Sequence, residues 1–239
     1  MRILCSLLLG WAATGVAHAS MIFSEVVVGA GFGSAPRILT VQGKGNASTE
    51  SGCDSWSGIQ TIVGPSACSN LANLGGDEPN PYGFPKDSTP TLASLGFAGA
   101  SNIGIVLDAT EPGNGGNSLT IKSLILKFFS GSGVLLLSES LAKTPLVLDH
   151  TGTGNGKTDF LFVLDQNGIN QVTNTIFSAA GWGEVRIGLE TTMTNVHGGP
   201  ESFLAVDPPG PSGATPEPAS ITLIACGLVG LAVLRRRAA

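Results

Sequence analysis

Apolar and polar positions alternate along most of this chain in short runs, and the period is that of half-buried strands. "SMIFSEVVVG", "RILTVQG", "NIGIVLDA", "SLTIKSLILKFFS", "GVLLLSESL", "KTDFLFVLD", "GEVRIGLETTM" and "SFLAV" are each rich in Val, Ile, Leu, Phe or Thr, with Gly, Asn, Pro or Asp between them. In "TIKSLILKFF", Lys122 and Lys127 call for water, while Ile121, Leu124, Leu126 and Phe128 turn to a core. The "SGSG" that follows reads as a hairpin turn into "VLLLSESL". One helix is expected from about Ile169 to Phe177, where Ile169, Val172, Ile176 and Phe177 fall near a single face and Asn167 caps the start. The pattern predicts a mainly β domain, an antiparallel two-sheet sandwich of jelly-roll type with one short helix. "NLGGDEPNPYGFPKDSTP" reads as a long surface loop, and no internal repeat is seen.

The two ends depart from this pattern. "MRILCSLLLGWAATGVAHAS" has Arg2, an apolar run from Ile3 to about Val16, and small residues flanking His18 before Ser20. This is the layout of a secretory signal peptide over residues 1–19, cleaved by signal peptidase after Ala19. Cys5 precedes the apolar run rather than following it, so it is not a lipidation site.

Export changes how the remainder is weighed. From Ser20 to Thr215 the chain keeps 8 basic and 16 acidic residues, a net charge of −8, which attracts neither nucleic acid nor an anionic bilayer. Cys53 and Cys68 are the cysteines in that span, and in an oxidising compartment they are most simply a disulfide. Closing that loop contributes roughly 3 kcal/mol by chain entropy.

Several motifs suggest chemistry, and each has a plainer explanation. "VVVGAGFGSAP" resembles the glycine turn of a dinucleotide-binding fold, but Gly33 comes one residue early and Pro36 stands where a helix should be under way. Asp149 and His150 suggest half of a hydrolase triad, yet no G-x-S-x-G elbow occurs, so His150 and His197 read as loop residues and the chain as non-catalytic. "LDATEPGNGGNS" and "LDHTGTGNGKTD" gather calcium-type oxygen donors: Asp108, Glu111, Asn114 and Asn117 in the first, Asp149, Asn155 and Asp159 in the second. Neither has EF-hand spacing, and turns select Asp, Asn and Gly for backbone reasons alone.

The far end carries the most specific signal. "TPEPASITLIACGLVGLAVLRRRAA" has no charge from Ala219 to Leu234, a run that as a helix spans about 24 Å, short of a bilayer core of about 30 Å. Arg235, Arg236 and Arg237 behind it hold that end on the cytoplasmic side and leave the rest outside. The Pro-Glu-Pro triplet, the apolar helix and the arginine cluster resemble, in this order, the PEP-CTERM sorting signal of exported Gram-negative proteins, over about the last 24 residues. The resemblance implies that a membrane-embedded exosortase recognises Pro216, Glu217 and Pro218. It makes Ile221 to Leu234 a temporary transmembrane anchor in the inner membrane and Arg235 to Arg237 the stop-transfer element. It also implies an association with exopolysaccharide.

The expected organisation is therefore a signal peptide (1–19), a β-sandwich (20–200), a Pro/Gly/Ser linker (201–215) and a sorting signal with a transmembrane helix (216–239). The expected role is a non-catalytic structural or interaction protein, held in the periplasm and then passed to the cell surface or extracellular matrix. The alternative is a polysaccharide-binding module, with or without calcium, for which Trp56, Tyr82 and Trp182 are the available aromatics.

Overall fold

The structure, a computed structural model, describes residues 20–28, 35–42, 48–63, 87–109, 118–149 and 158–208. The expected signal peptide and sorting signal lie outside these, and among the described residues no helix is long and apolar enough to cross a membrane. The strands are β1 (Ser20–Val28), β2 (Arg37–Val41), β3 (Thr49–Trp56), β4 (Thr61–Val63), β5 (Gly104–Ala109), β6 (Ser118–Phe129), β7 (Leu135–Leu141), β8 (Leu146–Asp149), β9 (Thr158–Leu164), β10 (Arg186–Thr194) and β11 (Glu201–Val206). All eight of the apolar runs form strands, whereas β3, β4 and β8 lie outside those runs.

Hydrogen bonding links all of them into one sheet in the order β2-β11-β5-β9-β1-β7-β6-β10-β3-β4, with β8 added to β6. The expected pair of separate sheets is thus corrected to one. A twisted sheet of this many strands curls on itself, and this one closes nearly into a barrel. β2, at one end of the path, meets β3, next to the other end, where a Cβ on Gly52 would lie 2.6 Å from Val41 Cγ1, so glycine lets the strands approach this closely. The sheet is also mixed: β1 and β7 pair parallel, Ser20 opposite Ser140 and Met21 opposite Leu141, and the other ladders are antiparallel.

The barrel is filled by the apolar side of the alternation. Phe128, Phe160, Phe162, Phe203, Ile105, Leu107 and Leu189 are fully buried in one cluster, and each such side chain contributes roughly 1.5–3 kcal/mol. Along β6 the phase slips once. Thr192 pairs with Ser123 and Met193 with Ile121, so Lys122 is bulged out and exposed while Ile121 and Leu124 both face inward. Lys127 departs from its expected solvent position, being buried and ion-paired with Glu190.

Two boundaries also move. The strand β11 extends the domain past residue 200, because "ESFLAV" seats Phe203 and Ala205 in the core. The helix α1 (Gln166–Val172) starts before Ile169 and runs into a π-type turn, Thr173–Phe177. Its cap is Asp165 rather than Asn167: the backbone there is extended and the carboxylate accepts from Gly168 N at 2.8 Å. The expected face holds, with Val172 and Ile176 buried and Ile169 and Phe177 packed against the core.

The register defines two poles. Met21 pairs with Leu164, Val163 with Gly104 and Gly104 with Val206, so β1 begins and β11 ends at the same pole, where α1 follows β9. At the other pole Asp108 stands opposite Asp159 and Asp149 opposite Ser118.

Candidate binding cleft

At the α1 pole the chain leaves a cleft of about 180 Å³ lined by Ser130, Gly131, Leu136, Thr175, Trp182 and Glu184, among others. Three local features build it. The "SGSG" turn folds as expected, with Gly133 N donating to Ser130 O at 2.9 Å and Ser130 N to Val134 O at 2.8 Å. The π-type turn after α1 presents Thr175 and packs Phe177 on Trp182, with ring centroids 4.9 Å apart. A single 3-10 turn, Trp182–Glu184, then leads into β10.

A second tryptophan braces the same turn. Trp56 Nε1 donates to Gly131 O at 2.8 Å, and the Arg186 guanidinium lies 3.8 Å above the Trp56 ring. Arg186 is itself held by Thr89 O, at 2.7 Å. This stack fixes the indole while leaving part of it exposed. Val134, Leu135, Leu136 and Ile59 add an exposed apolar rim on the same two turns.

Such a site offers the Trp182 ring, the exposed Thr175 hydroxyl and the exposed carboxylate of Glu184. That combination suits the apolar face and hydroxyl edge of one sugar ring. Of the three expected aromatics, Trp182 lines the cleft, Trp56 braces the turn that forms one of its walls, and Tyr82 lies outside the described residues.

The acidic candidates fare differently. Asp108 and Asp159 face each other across the β5–β9 ladder at the opposite pole, Asp159 buried and Asp108 half-buried, and Asp149 stands at the same pole on β8, several strands away, while Glu111, Asn114, Asn117 and Asn155 lie outside the described residues. Among the described residues no group of three or more His, Cys, Asp or Glu is placed to hold a metal ion. Cys53 is fully buried and disulfide-bonded, and Cys68 lies outside the described residues. Likewise His197 is exposed and His150 lies outside them. Where the glycine-rich stretch ends, β2 starts directly after Pro36, so no helix follows as a dinucleotide fold requires.

The sequence reading missed a buried polar group on β3, β6 and β10. Asp54 accepts a hydrogen bond from Leu189 N, its other oxygen has no hydrogen-bond partner, and Lys127 and Glu190 pair beside it. Burial raises the Asp54 carboxyl well above its ordinary value, against the lowering pull of the Leu189 amide.

Compared with known proteins, the chain matches no family model, no curated protein and no solved structure.

Proposed function

We propose that this protein is exported, processed at its tail by an exosortase, and acts as a non-catalytic interaction protein of the envelope or extracellular matrix in contact with exopolysaccharide. The targeting half of this reading rests on the signal-type leader and the tail, with Pro216 to Pro218 as the recognition residues, Ile221 to Leu234 as the temporary inner-membrane anchor and Arg235 to Arg237 as the stop. The interaction half is carried by one observation, the cleft in which the Trp182 ring lies beside the Thr175 hydroxyl, opposite a turn that Trp56 braces. A disulfide between Cys53 and Cys68 belongs to the same exported state.

The test is a glycan array with the processed protein from an exporting host, run with and without calcium. Binding to an acidic or neutral polysaccharide that Trp182→Ala removes, with the melting temperature kept, supports the cleft as the contact. Binding unchanged by Trp182→Ala places the contact elsewhere, and no binding to any glycan leaves a purely structural role. The calcium variant of this reading rests on the acidic loops of the sequence and on Asp108 standing opposite Asp159 in the β5–β9 ladder. It requires calcium to raise the melting temperature, because the ion would stabilise only the folded chain, and Asp108→Ala or Asp149→Ala to abolish the rise.

A further inference from the structure

On β7 the alternation turns Leu137, Glu139 and Leu141 to the same side, and Glu139 stands directly across from Leu126, a core residue. Glu139 is fully buried and neither carboxylate oxygen has a hydrogen-bond partner. Burial pushes its carboxyl up to about 7, and the charge of Asp165 pushes the same way. Ionised in this position, the acid destabilises the fold unless a cation accompanies it.

The neighbouring residue of β7, Ser140, is the parallel-ladder partner of Ser20. Ser20 is in turn bound to Asp165 from several atoms. Its hydroxyl donates to Asp165 Oδ2, its carbonyl accepts from Asp165 N at 2.9 Å, and its backbone N–H hydrogen-bonds to the Asp165 carboxylate. Burial acts to raise the Asp165 carboxyl, but the Ser20 hydroxyl and the Gly168, Asn167 and Ser20 amides outweigh it and hold the group below its ordinary value. An ionised carboxylate is therefore already fastened to the residue that begins β1, and its charge reaches the unpartnered carboxyl of Glu139.

We propose that this niche is a receptor for the α-ammonium group that removal of residues 1–19 would expose on Ser20, pairing it with Asp165 and supplying the countercharge that Glu139 lacks. The inference rests on the export reading, with cleavage between Ala19 and Ser20. Hydrolysis there adds one water across the amide: hydroxide goes to the Ala19 carbonyl, which leaves as a carboxylate, and both protons end on the Ser20 nitrogen. In the uncut chain that nitrogen is a neutral amide, which contributes one hydrogen bond and no charge. Maturation would thus complete the electrostatics of the barrel at the start of β1.

The experiment compares the chain from Ser20 to Ala239, in detergent, with its α-amine free and with the amine acetylated, which restores the neutral amide of the uncut form. The free amine should titrate at least about one unit above its usual 7.7–8.0 and react about tenfold more slowly with an acylating reagent at neutral pH than in the unfolded chain. Glu139→Gln should lower the melting temperature of the free-amine chain and raise that of the acetylated chain, where it removes an unpartnered charge. Should Glu139→Gln not fold, Asp165→Asn serves, returning the amine to its usual titration. An amine that titrates normally in the parent, or a Glu139→Gln effect of the same sign in both chains, overturns the proposal. N-terminal sequencing of protein from the native host is a separate readout: a start other than Ser20 refutes the cleavage site and leaves the chemical test of the niche standing on its own.

Discussion

Replacing Gly133 with alanine should destabilise the protein well beyond an ordinary loop substitution, because two costs fall on one atom. Gly133 has φ +89°, and an added Cβ would lie 2.6 Å from Ser57 C and 2.7 Å from Gly58 N. The left-handed conformation costs a residue with a Cβ about 1–2 kcal/mol. The contact is with backbone, which cannot swing aside as a side chain can, so displacing it adds about 1–3 kcal/mol. The sum is about 2–5 kcal/mol, a drop of roughly 4–20 °C in melting temperature for a domain of this size. Two other glycines separate the terms. Gly96 has φ +73° with nothing within 4 Å of an added Cβ, so Gly96→Ala should show the backbone cost alone. Gly131 is not in the left-handed region and also has open space, so Gly131→Ala should be close to neutral. Urea denaturation followed by tryptophan fluorescence is the assay, since Trp56 is hydrogen-bonded to this turn through Gly131 O. If Gly133→Ala costs no more than Gly96→Ala, the close approach of the two turns, and with it the bracing of the cleft, is refuted.

Three further outcomes are expected. Cys53→Ser should cost about 3 kcal/mol if the expected partner is Cys68, and labelling of both thiols in the native protein would disprove that pairing. Asp54 has a raised carboxyl, so the unfolded chain ionises first as pH rises; the stability it contributes is present below about pH 4 and is lost as pH climbs through the native value. Asp54→Asn keeps an oxygen to accept from Leu189 N and should remove that slope from urea-derived stability plotted against pH, and an unchanged slope would mean that Asp54 titrates normally. Changing Pro216 to Pro218 to alanine should leave export intact and make the full-length chain accumulate in the inner membrane, as read by immunoblot of fractions; identical size and fraction for variant and parent would argue for a permanent anchor.

How far the sequence could be read depended on whether the cause was local. Alternation located eight strands because each carries its own apolar side, but "TESGCDSW" has none, and β3 is a strand because β10 and β4 pair with it. Strands as short as β4 and β8 offer too few positions for any period to register. Partner choice is not local either, so the parallel ladder of β1 with β7 and the merging of all strands into one sheet were invisible. Trp56 and Trp182 were marked as aromatics, but the bracing of the cleft by Trp56 depends on one turn meeting another across 75 residues. A signal for Glu139 was present in "LLLSESL", where it stands in phase with Leu137 and Leu141 rather than with the serines.

Because β1 starts and β11 ends at the same pole, with β5 and β9 between them, the two ends lie three strand spacings apart, about 14 Å. Pulled apart by these two ends, the barrel is therefore loaded at one edge of its ladders. Tension would open the hydrogen bonds in sequence from that pole, as a zip opens, instead of shearing a whole ladder at once. The contacts between Ser20 and Asp165 take the first load on the β1 side, and the ladder around Asp108 and Asp159, at the far pole, parts last. Such a barrel yields gradually under a weak pull and can re-close from its intact end when the pull is released.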